Sequence, residues 1–282
     1  MSFLGGRHSP IVPCARQELL LAVRSRWTLM FAIVFAALAL LVASSGYILS
    51  GGSGMQDFAR TAASLLQLVL LLVPLASLVF GVMAFTPDAG GAEMLFSQPV
   101  SRAAILTGKA AGLFLALVGA EAVGFGVSGL MLFSRTGSEG LGGFLGVAGG
   151  AAVLTAVFLS LAAAIAGGGA RQRARSLAVA LACWFVFVLL FDVAALGIAS
   201  LLPSGQASRV LIVAAMLNPV DAVRTATLLA VQGTTAFGAA SLAFLRFTHG
   251  TGGAAMWLGL SVLVWIAAPA WFAARRLGRS DI

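Results

Sequence analysis

Long apolar stretches without charged residues, separated by short polar segments, are the main pattern along the 282 residues of this chain. Alternation with a period of two is absent, and the stretches are too long for barrel strands, so the pattern predicts helices. About 20 apolar residues are enough for a helix to cross the hydrocarbon core of a bilayer. We therefore predict an all-α membrane protein with a single transmembrane domain over residues 1–282. Its six predicted spans cover about 27–48, 62–85, 104–133, 142–169, 177–202 and 254–274.

A further apolar stretch at 225–245 also lacks charge and would make a seventh span. The distribution of basic residues between the two sides of the membrane argues against a seventh span. With an even number of spans both termini lie on one side of the membrane, and that side then holds twelve of the 17 lysines and arginines. The positive-inside rule makes this side cytoplasmic. A seventh span would move the basic C-terminal segment "ARRLGRSDI" (274–282) out of the cytoplasm, so we predict six.

Composition agrees with a chain that faces lipid. Hydrophobic residues make up 60% of it and charged residues 9%, whereas soluble domains carry roughly 25% charged residues. The formal charge of +8 is explained mainly by topology and by contact with phospholipids. No basic stripe is interleaved with aromatic residues, so we expect no nucleic-acid partner.

Three segments outside the spans carry a recognisable pattern. Residues 11–26 have an apolar face and predict an amphipathic helix in the cytoplasmic interface. Residues 86–103 form the cytoplasmic link between the second and third spans. Residues 203–252 form an outer segment, in which Asn218 and Pro219 start a helix that packs on, or dips into, the outer leaflet.

The cytoplasmic link has its own start and stop signals. Asp88 stands where a helix N-cap would be favoured by the helix dipole, and Pro99 ends the segment. Ser101 can then cap the helix that becomes the third span. The apolar side chains between these signals either insert shallowly among lipid headgroups or fill a pocket on a partner protein. They are Met94, Leu95 and Phe96.

Two ionisable residues lie inside predicted spans, Glu121 in the third and Asp192 in the fifth. A charged side chain at the bilayer centre costs on the order of 3 kcal/mol. These residues either line a pathway and pair across helices or subunits, or they are structural carboxyls satisfied by serine or threonine neighbours. Neither has an obvious lysine or arginine partner within the spans.

A serine motif raises the question of intramembrane catalysis. Gly126-Val127-Ser128-Gly129 is similar to the nucleophile motif of rhomboid proteases, but such a serine needs a general base. The two histidines, His8 and His249, both lie outside the spans. The competing interpretation is that small residues allow close helix packing. Those residues are Gly124, Gly126 and Gly129.

Binding of ATP or metal is not indicated either. "GKAAG" (108–112) lacks the upstream glycine and the following Ser or Thr of a phosphate-binding loop. The two cysteines lack metal-ligand spacing. We therefore expect this chain not to be an enzyme, and an ATP-driven role would need the ATPase of another polypeptide.

Three stretches together resemble permeases of the ABC-2 type, and the resemblance covers nearly the whole chain. "AVRSRW" (22–27) ends the interfacial helix, and "GAEMLFSQPVSRAAILTGKAAG" (91–112) links the second span to the third. "LNPVDAVR" (217–224) is similar to an Asn-Pro-x-Asp segment in the NosY-type branch, which serves nitrous oxide reductase maturation.

The resemblance implies a half-transporter in the bacterial inner membrane. Two copies would pair as a homodimer and dock on two ATP-binding cassette subunits, which would bind the ATP and Mg²⁺ while this chain binds no cofactor. In the family the cytoplasmic link is a coupling helix that sits in a groove of the ATPase. The matching residues here are Asp88, Glu93, Met94, Leu95, Phe96 and Gln98; the outer residues singled out are Asn218, Pro219, Asp221 and Arg224.

Three functional hypotheses follow. The leading one is the membrane subunit of an ATP-driven complex that exports a substrate or transmits force to a periplasmic protein, with metalloenzyme maturation as its process. The alternative is an ion-coupled secondary transporter that uses Glu121 and Asp192. The third is an intramembrane enzyme that depends on Ser128.

Overall fold

Helices account for all regular secondary structure in the part of the chain that the structure describes. This computed structural model describes residues 10–49, 55–86, 101–136, 140–167, 173–233 and 239–279. Six of its helical stretches are long and apolar enough to cross a membrane, which confirms the predicted all-α class and the predicted number of spans.

The first five helices follow the order of the sequence prediction. They are α1 (Ile11–Val23), α2 (Arg26–Leu49), α3 (Met55–Phe85), α4 (Arg102–Thr136) and α5 (Leu141–Gly167). The fifth span is made of α6 (Arg173–Phe185), a π-helical turn (Val186–Leu190) and α7 (Phe191–Ser200). The remaining helices are α8 (Ser204–Leu217), α9 (Pro219–Gln232), α10 (Ala239–Phe247) and α11 (Thr251–Arg279).

Helix α5 lies at the centre of the bundle and packs against α3, α4, α9 and α11. Small residues allow two of these crossings. A Cβ atom on Gly81 of α3 would lie 2.5 Å from Ala162 Cβ, and one on Gly150 of α5 would lie 2.7 Å from Thr227 Oγ1 of α9. Close backbone approach through small residues is the usual way in which membrane helices gain packing energy, because lipid tails are as apolar as the side chains.

A chain of aromatic rings joins α2, α4 and α5 inside the bundle. Phe35 lies 5.5 Å from Phe125, and Phe125 lies 5.7 Å from Phe144, both in edge-to-face geometry. Phe31 and Phe133 extend the chain at its two ends. Edge-to-face pairs contribute roughly 0.5–1.5 kcal/mol beyond the area they bury, so these rings fix the relative positions of the three helices.

The outer segment does not form a straight seventh span. Helices α8 and α9 meet at Asn218 with a bend of 102°, as in a broken span or a re-entrant loop. The uncharged stretch 225–245 is not one continuous helix, because α9 ends at Gln232 and the next residue, Gly233, has a φ of 62°. Left-handed backbone at a helix C-terminus is readily adopted by glycine and ends the helix there.

Candidate functional site

Lys109 joins three helices at the end of the bundle from which the link between the second and third spans leaves. Its Nζ donates a hydrogen bond to the carbonyl oxygen of Ala84, at 2.8 Å, and lies 3.8 Å from Glu18 Oε2. Ala84 belongs to the last turn of α3, Lys109 to the second turn of α4, and Glu18 to α1. A cation near the C-terminus of α3 also interacts favourably with the dipole of that helix. The two spans that flank the cytoplasmic link are thus tied to each other and to α1.

The contact between α1 and α4 is very close because two glycines of α4 face α1. A Cβ atom on Gly108 would lie 2.6 Å from Cys14 Cβ, and one on Gly112 would overlap the carbonyl oxygen of Ala15. The spacing of four residues puts both glycines on one face of the helix. Helix α1 therefore packs directly on the α4 backbone and is a fixed part of this junction.

Glu18 is a largely buried carboxyl whose environment affects its pKa. Its side chain is only 13% exposed between α1 and α4. Loss of hydration raises the pKa of Glu18 above its usual value, and the nearby Lys109 ammonium partly offsets this increase. Glu18 was not among the predicted site residues, although "QELL" (17–20) and "GKAAG" (108–112) supply one acidic and one basic residue for this contact.

The residues predicted to contact an ATPase lie outside the described residues. They are Asp88, Glu93, Met94, Leu95, Phe96 and Gln98. The structure describes both flanks of their segment: Thr86 is buried after α3, and α4 begins at Arg102. The backbone N–H of Ala104 donates to Ser101 Oγ at 3.4 Å, as expected for the predicted cap of the third span.

Glu121 is buried in the middle of the bundle and bonded to a neighbouring helix. Thr155 Oγ1 of α5 donates to Glu121 Oε1 at 2.7 Å, and Glu121 is 3% exposed. The second carboxyl oxygen, Oε2, has no partner among the described residues. One of its two oxygens is therefore satisfied by a threonine, as the structural interpretation of Glu121 expected.

Ser128 is placed for packing and not for nucleophilic attack. It is fully buried, and its hydroxyl donates to the carbonyl oxygen of Gly124 at 2.9 Å. Gly124 packs against the ring of Phe35, and Gly129 against the ring of Phe144. At Gly126, by contrast, a Cβ atom would meet no atom of the described residues within 4 Å, so these residues do not use Gly126 for a close helix contact.

A cluster of charged and polar side chains lies where the outer segment meets the fifth span. Arg224 Nη1 lies 2.8 Å from Asp192 Oδ2 and 3.0 Å from Asp221 Oδ1. Asp192 thus has a cationic partner from outside the spans, in α9. This pairing was not predicted, because Arg224 lies outside the predicted spans and 32 residues from Asp192 along the chain.

Asn218 holds the bend between α8 and α9. Its Oδ1 accepts from the N–H of Val220 at 3.1 Å and caps α9, while Pro219 occupies the first helical position. Its Nδ2 donates to Asp221 Oδ2 at 3.0 Å and to the carbonyl oxygen of Phe187 at 2.9 Å. Phe187 lies in the π-helical turn of the fifth span, where the backbone ladder is irregular.

Side chains of α11 donate hydrogen bonds to the backbone carbonyl oxygens at the C-terminus of α8, next to the bend. Trp265 Nε1 of α11 donates to the carbonyl oxygen of Leu217 at 2.9 Å, and Ser261 Oγ donates to that of Met216. The last carbonyls of a helix have no partner within it. In this way α7, α8, α9 and α11 meet at one point, which we call the outer junction (Asp192, Asn218, Asp221, Arg224, Ser261 and Trp265).

Comparison with protein families decides the classification. The family model for the ABC-2 family transporter protein matches residues 12–282, almost the whole chain. This chain belongs to the ABC-2 transporter family. It is accordingly a multi-pass membrane protein and a permease subunit of an ABC transporter.

Two curated relatives of this ABC-2 chain carry the same name. The chain is 32% identical over 254 residues to the probable ABC transporter permease protein NosY of Pseudomonas aeruginosa strain PAO1, covering 88% of this chain and 91% of the relative. It is 33% identical over 235 residues to the probable ABC transporter permease protein NosY of Stutzerimonas stutzeri, covering 81% of this chain and 85% of the relative.

The ABC-2 chain has no group of three or more His, Cys, Asp or Glu side chains that could hold a metal ion within its described residues. Several of its side-chain polar contacts join helices: Lys109 contacts Glu18 of α1, and Arg224 contacts Asp192 of α7. Neither pair was predicted from the sequence, because the two members of each pair belong to helices distant along the chain.

Proposed function

We propose that this chain is the inner-membrane half of an ATP-driven complex, in which two copies pair and two ATP-binding subunits dock on the cytoplasmic segment 88–98. Both termini lie in the cytoplasm, and ATP and Mg²⁺ bind to the partner subunits. The observation that carries the proposal is the contact of Lys109 with Ala84 and Glu18. Because α3 ends at Phe85 and α4 begins after the link, a force applied to the link reaches both spans and α1 together.

Transmission across the bilayer follows the packing of the helices. Movement of α3 and α4 is passed to α5, which packs against both, and from α5 to α9 and α11. Helix α9 carries Arg224, which holds the outer end of the fifth span through Asp192. The output on the far side is either export of a substrate or a mechanical effect on a periplasmic protein.

Pairing with a second copy is supported by the spans that this chain leaves uncovered. The fifth and sixth spans bury the smallest share of their residues inside the bundle. Large apolar side chains of α6 point outward, among them Val179, Leu181 and Phe185. Part of this surface faces lipid, and in our proposal the remainder packs against the same surface of the second copy, as expected for a two-fold symmetric dimer.

The process served by the complex is proposed from the relatives. Both are named NosY permeases, and "LNPVDAVR" builds the outer junction in this chain. We therefore propose a role in maturation of a copper- or sulfur-containing metalloenzyme outside the cytoplasm. A periplasmic protein that contacts the outer segment would receive the effect of ATP hydrolysis.

Co-purification tests docking directly. We expect a P-loop ATPase to be retained by the wild-type chain and lost from Phe96→Glu, because an added carboxylate in an apolar pocket is left unpaired. The control is Leu201→Glu, which alters a strongly exposed leucine at the outer end of the fifth span. Equal ATPase retention by both variants, or no ATPase with the wild type, would contradict the proposal.

One observation keeps the ion-coupled alternative open to test. Glu121 Oε2 is buried without a partner among the described residues, as a site that binds a proton or an ion would require. Transport that persists after ATP depletion and is abolished in Glu121→Gln would favour this alternative. Asp192 is the second carboxylate in that hypothesis. Its ion pair with Arg224 argues against a role for Asp192 in ion coupling.

A further inference from the structure

An apolar groove runs between α7 and α8 on the outer half of the protein. Its volume is about 370 Å³, and its walls include Phe191, Ile198, Val213 and Leu217. Among the described residues, Arg209 is the one charged residue that lines it. The groove is separate from the outer junction, since Asp192 and Arg224 do not line it.

In the proposed topology, the groove extends from the outer membrane surface into the hydrocarbon layer. Helix α8 starts at Ser204, directly after the outer end of the fifth span, and it turns back beside α7. A helix rises 1.5 Å per residue, so the groove wall from Arg209 to Leu217 is about 12 Å long. Arg209 therefore lies near the headgroup level, while Leu217, at the bend, lies deeper.

Arg209 lacks the carboxylate partners that Arg224 has among the described residues. Arg224 contacts Asp192 and Asp221, whereas no carboxylate of the described residues lies within ion-pair distance of Arg209. An arginine at the edge of the bilayer needs an anion or water for its guanidinium. The planar guanidinium binds phosphate oxygens in a two-pronged geometry, which favours phosphate diesters over a simple point charge.

We propose that the α7–α8 groove binds one anionic glycerophospholipid of the outer leaflet. The phosphate contacts Arg209, and an acyl chain lies along Val213 towards Leu217. The apolar wall below Arg209 is what selects a lipid over free phosphate, because inorganic phosphate has no chain to fill it. This site rests on the membrane orientation of the proposed function but not on ATPase docking, so a failed docking test would leave it intact.

Lipid binding to the full-length purified protein tests this site. We would remove lipid in detergent, add phosphatidylglycerol and measure the bound lipid by native mass spectrometry. Arg209→Gln removes the phosphate contact, and Val213→Trp fills the groove while it keeps the charge. Arg209→Gln should weaken binding by about tenfold or more, because it removes a charge-assisted contact to the phosphate. Val213→Trp should weaken binding by about as much, because the indole ring occupies the space of the acyl chain.

Two matched variants serve as controls. Arg246→Gln removes an exposed arginine of α10 that does not line the groove, and Leu211→Trp enlarges an exposed residue of α8 outside it. Both should bind phosphatidylglycerol within about twofold of the wild type. Equal binding by all four variants would overturn the proposal.

Two other results would also overturn it, by identifying a different occupant. Displacement of the lipid by millimolar inorganic phosphate, together with normal binding by Val213→Trp, would identify an anion site without an acyl-chain groove. Loss of the dimer in Val213→Trp with unchanged lipid binding would identify the groove as the contact with a second copy.

Discussion

Arg224 Nη1 lies 2.8 Å from Asp192 Oδ2 and thereby joins the outer segment to the fifth span. The same nitrogen lies 3.0 Å from Asp221 Oδ1, so two carboxylates share one guanidinium. Removing the cation leaves both carboxylates close together and uncompensated. The side chain of Asp221 is only 11% exposed, so water cannot fully replace the lost partner.

Arg224→Gln should therefore destabilise the protein. Breaking a buried ion pair costs about 3–5 kcal/mol, and the partial exposure of Asp192 and Arg224 lowers our expectation to about 1–2 kcal/mol. Thermal unfolding in detergent measures the loss. Arg246→Gln, which alters another outer arginine, should leave the unfolding temperature almost unchanged, and a similar drop in that control would contradict the role of Arg224.

Asn218→Asp separates the two functions of Asn218. An aspartate can still accept from the N–H of Val220 and cap α9, but it cannot donate to the carbonyl oxygen of Phe187. It also places a second carboxylate beside Asp221. We expect a loss of about 2 kcal/mol, larger than the loss of one neutral hydrogen bond, together with faster amide hydrogen exchange in the π-helical turn. Unchanged exchange there would show that Asn218 does not hold the turn.

Gly112→Leu should displace α1 from α4. A Cβ atom at this position overlaps the carbonyl oxygen of Ala15, which is backbone and cannot rotate away. Overpacking of this kind costs about 1–3 kcal/mol. Gly119→Leu is the control on the same helix, because a Cβ atom there meets nothing within 4 Å. Proteolysis of α1 in the purified protein should increase only in Gly112→Leu, and equal protection in both variants would argue against the close contact.

Thr155→Val should cost about 1–2 kcal/mol, because it leaves Glu121 Oε1 buried without its hydrogen bond. Replacing both partners removes the unsatisfied groups, so Glu121→Leu combined with Thr155→Val should recover much of that loss. A double-mutant cycle on unfolding temperature measures the coupling. Strictly additive losses would mean that the two side chains do not interact.

Stability should fall as pH rises because of Glu18. Its folded-state pKa is raised above the usual 4.5, mainly by burial. The folded protein therefore binds more protons than the unfolded chain between 4.5 and the raised pKa. The contribution of Glu18 is fully present below 4.5 and is lost as pH increases through the folded pKa. Glu18→Gln should flatten this part of the pH profile of unfolding temperature, and an unchanged slope would contradict the assignment.

Hydropathy along the chain was enough to predict the all-α membrane class and the six spans. These depend on local patterns, namely the length of uncharged apolar stretches, the side on which basic residues collect, and caps such as Ser101 and Asn218. Each can be recognised without knowing which helices are neighbours. The contact of residues Asp88 to Gln98 with an ATPase remains a prediction, because these residues lie outside the described part of the chain.

Which polar groups meet depends on how the helices pack in the folded protein. Asp192 and Arg224 are 32 residues apart along the chain and come together because α8 and α9 fold back at Asn218. Glu121 and Thr155 meet because aromatic packing fixes α4 against α5, and Lys109 meets Glu18 because two glycines let α1 approach. Contacts between distant helices depend on crossing geometry, which hydropathy does not encode. The same limit explains why Asp192 had no partner in the sequence analysis.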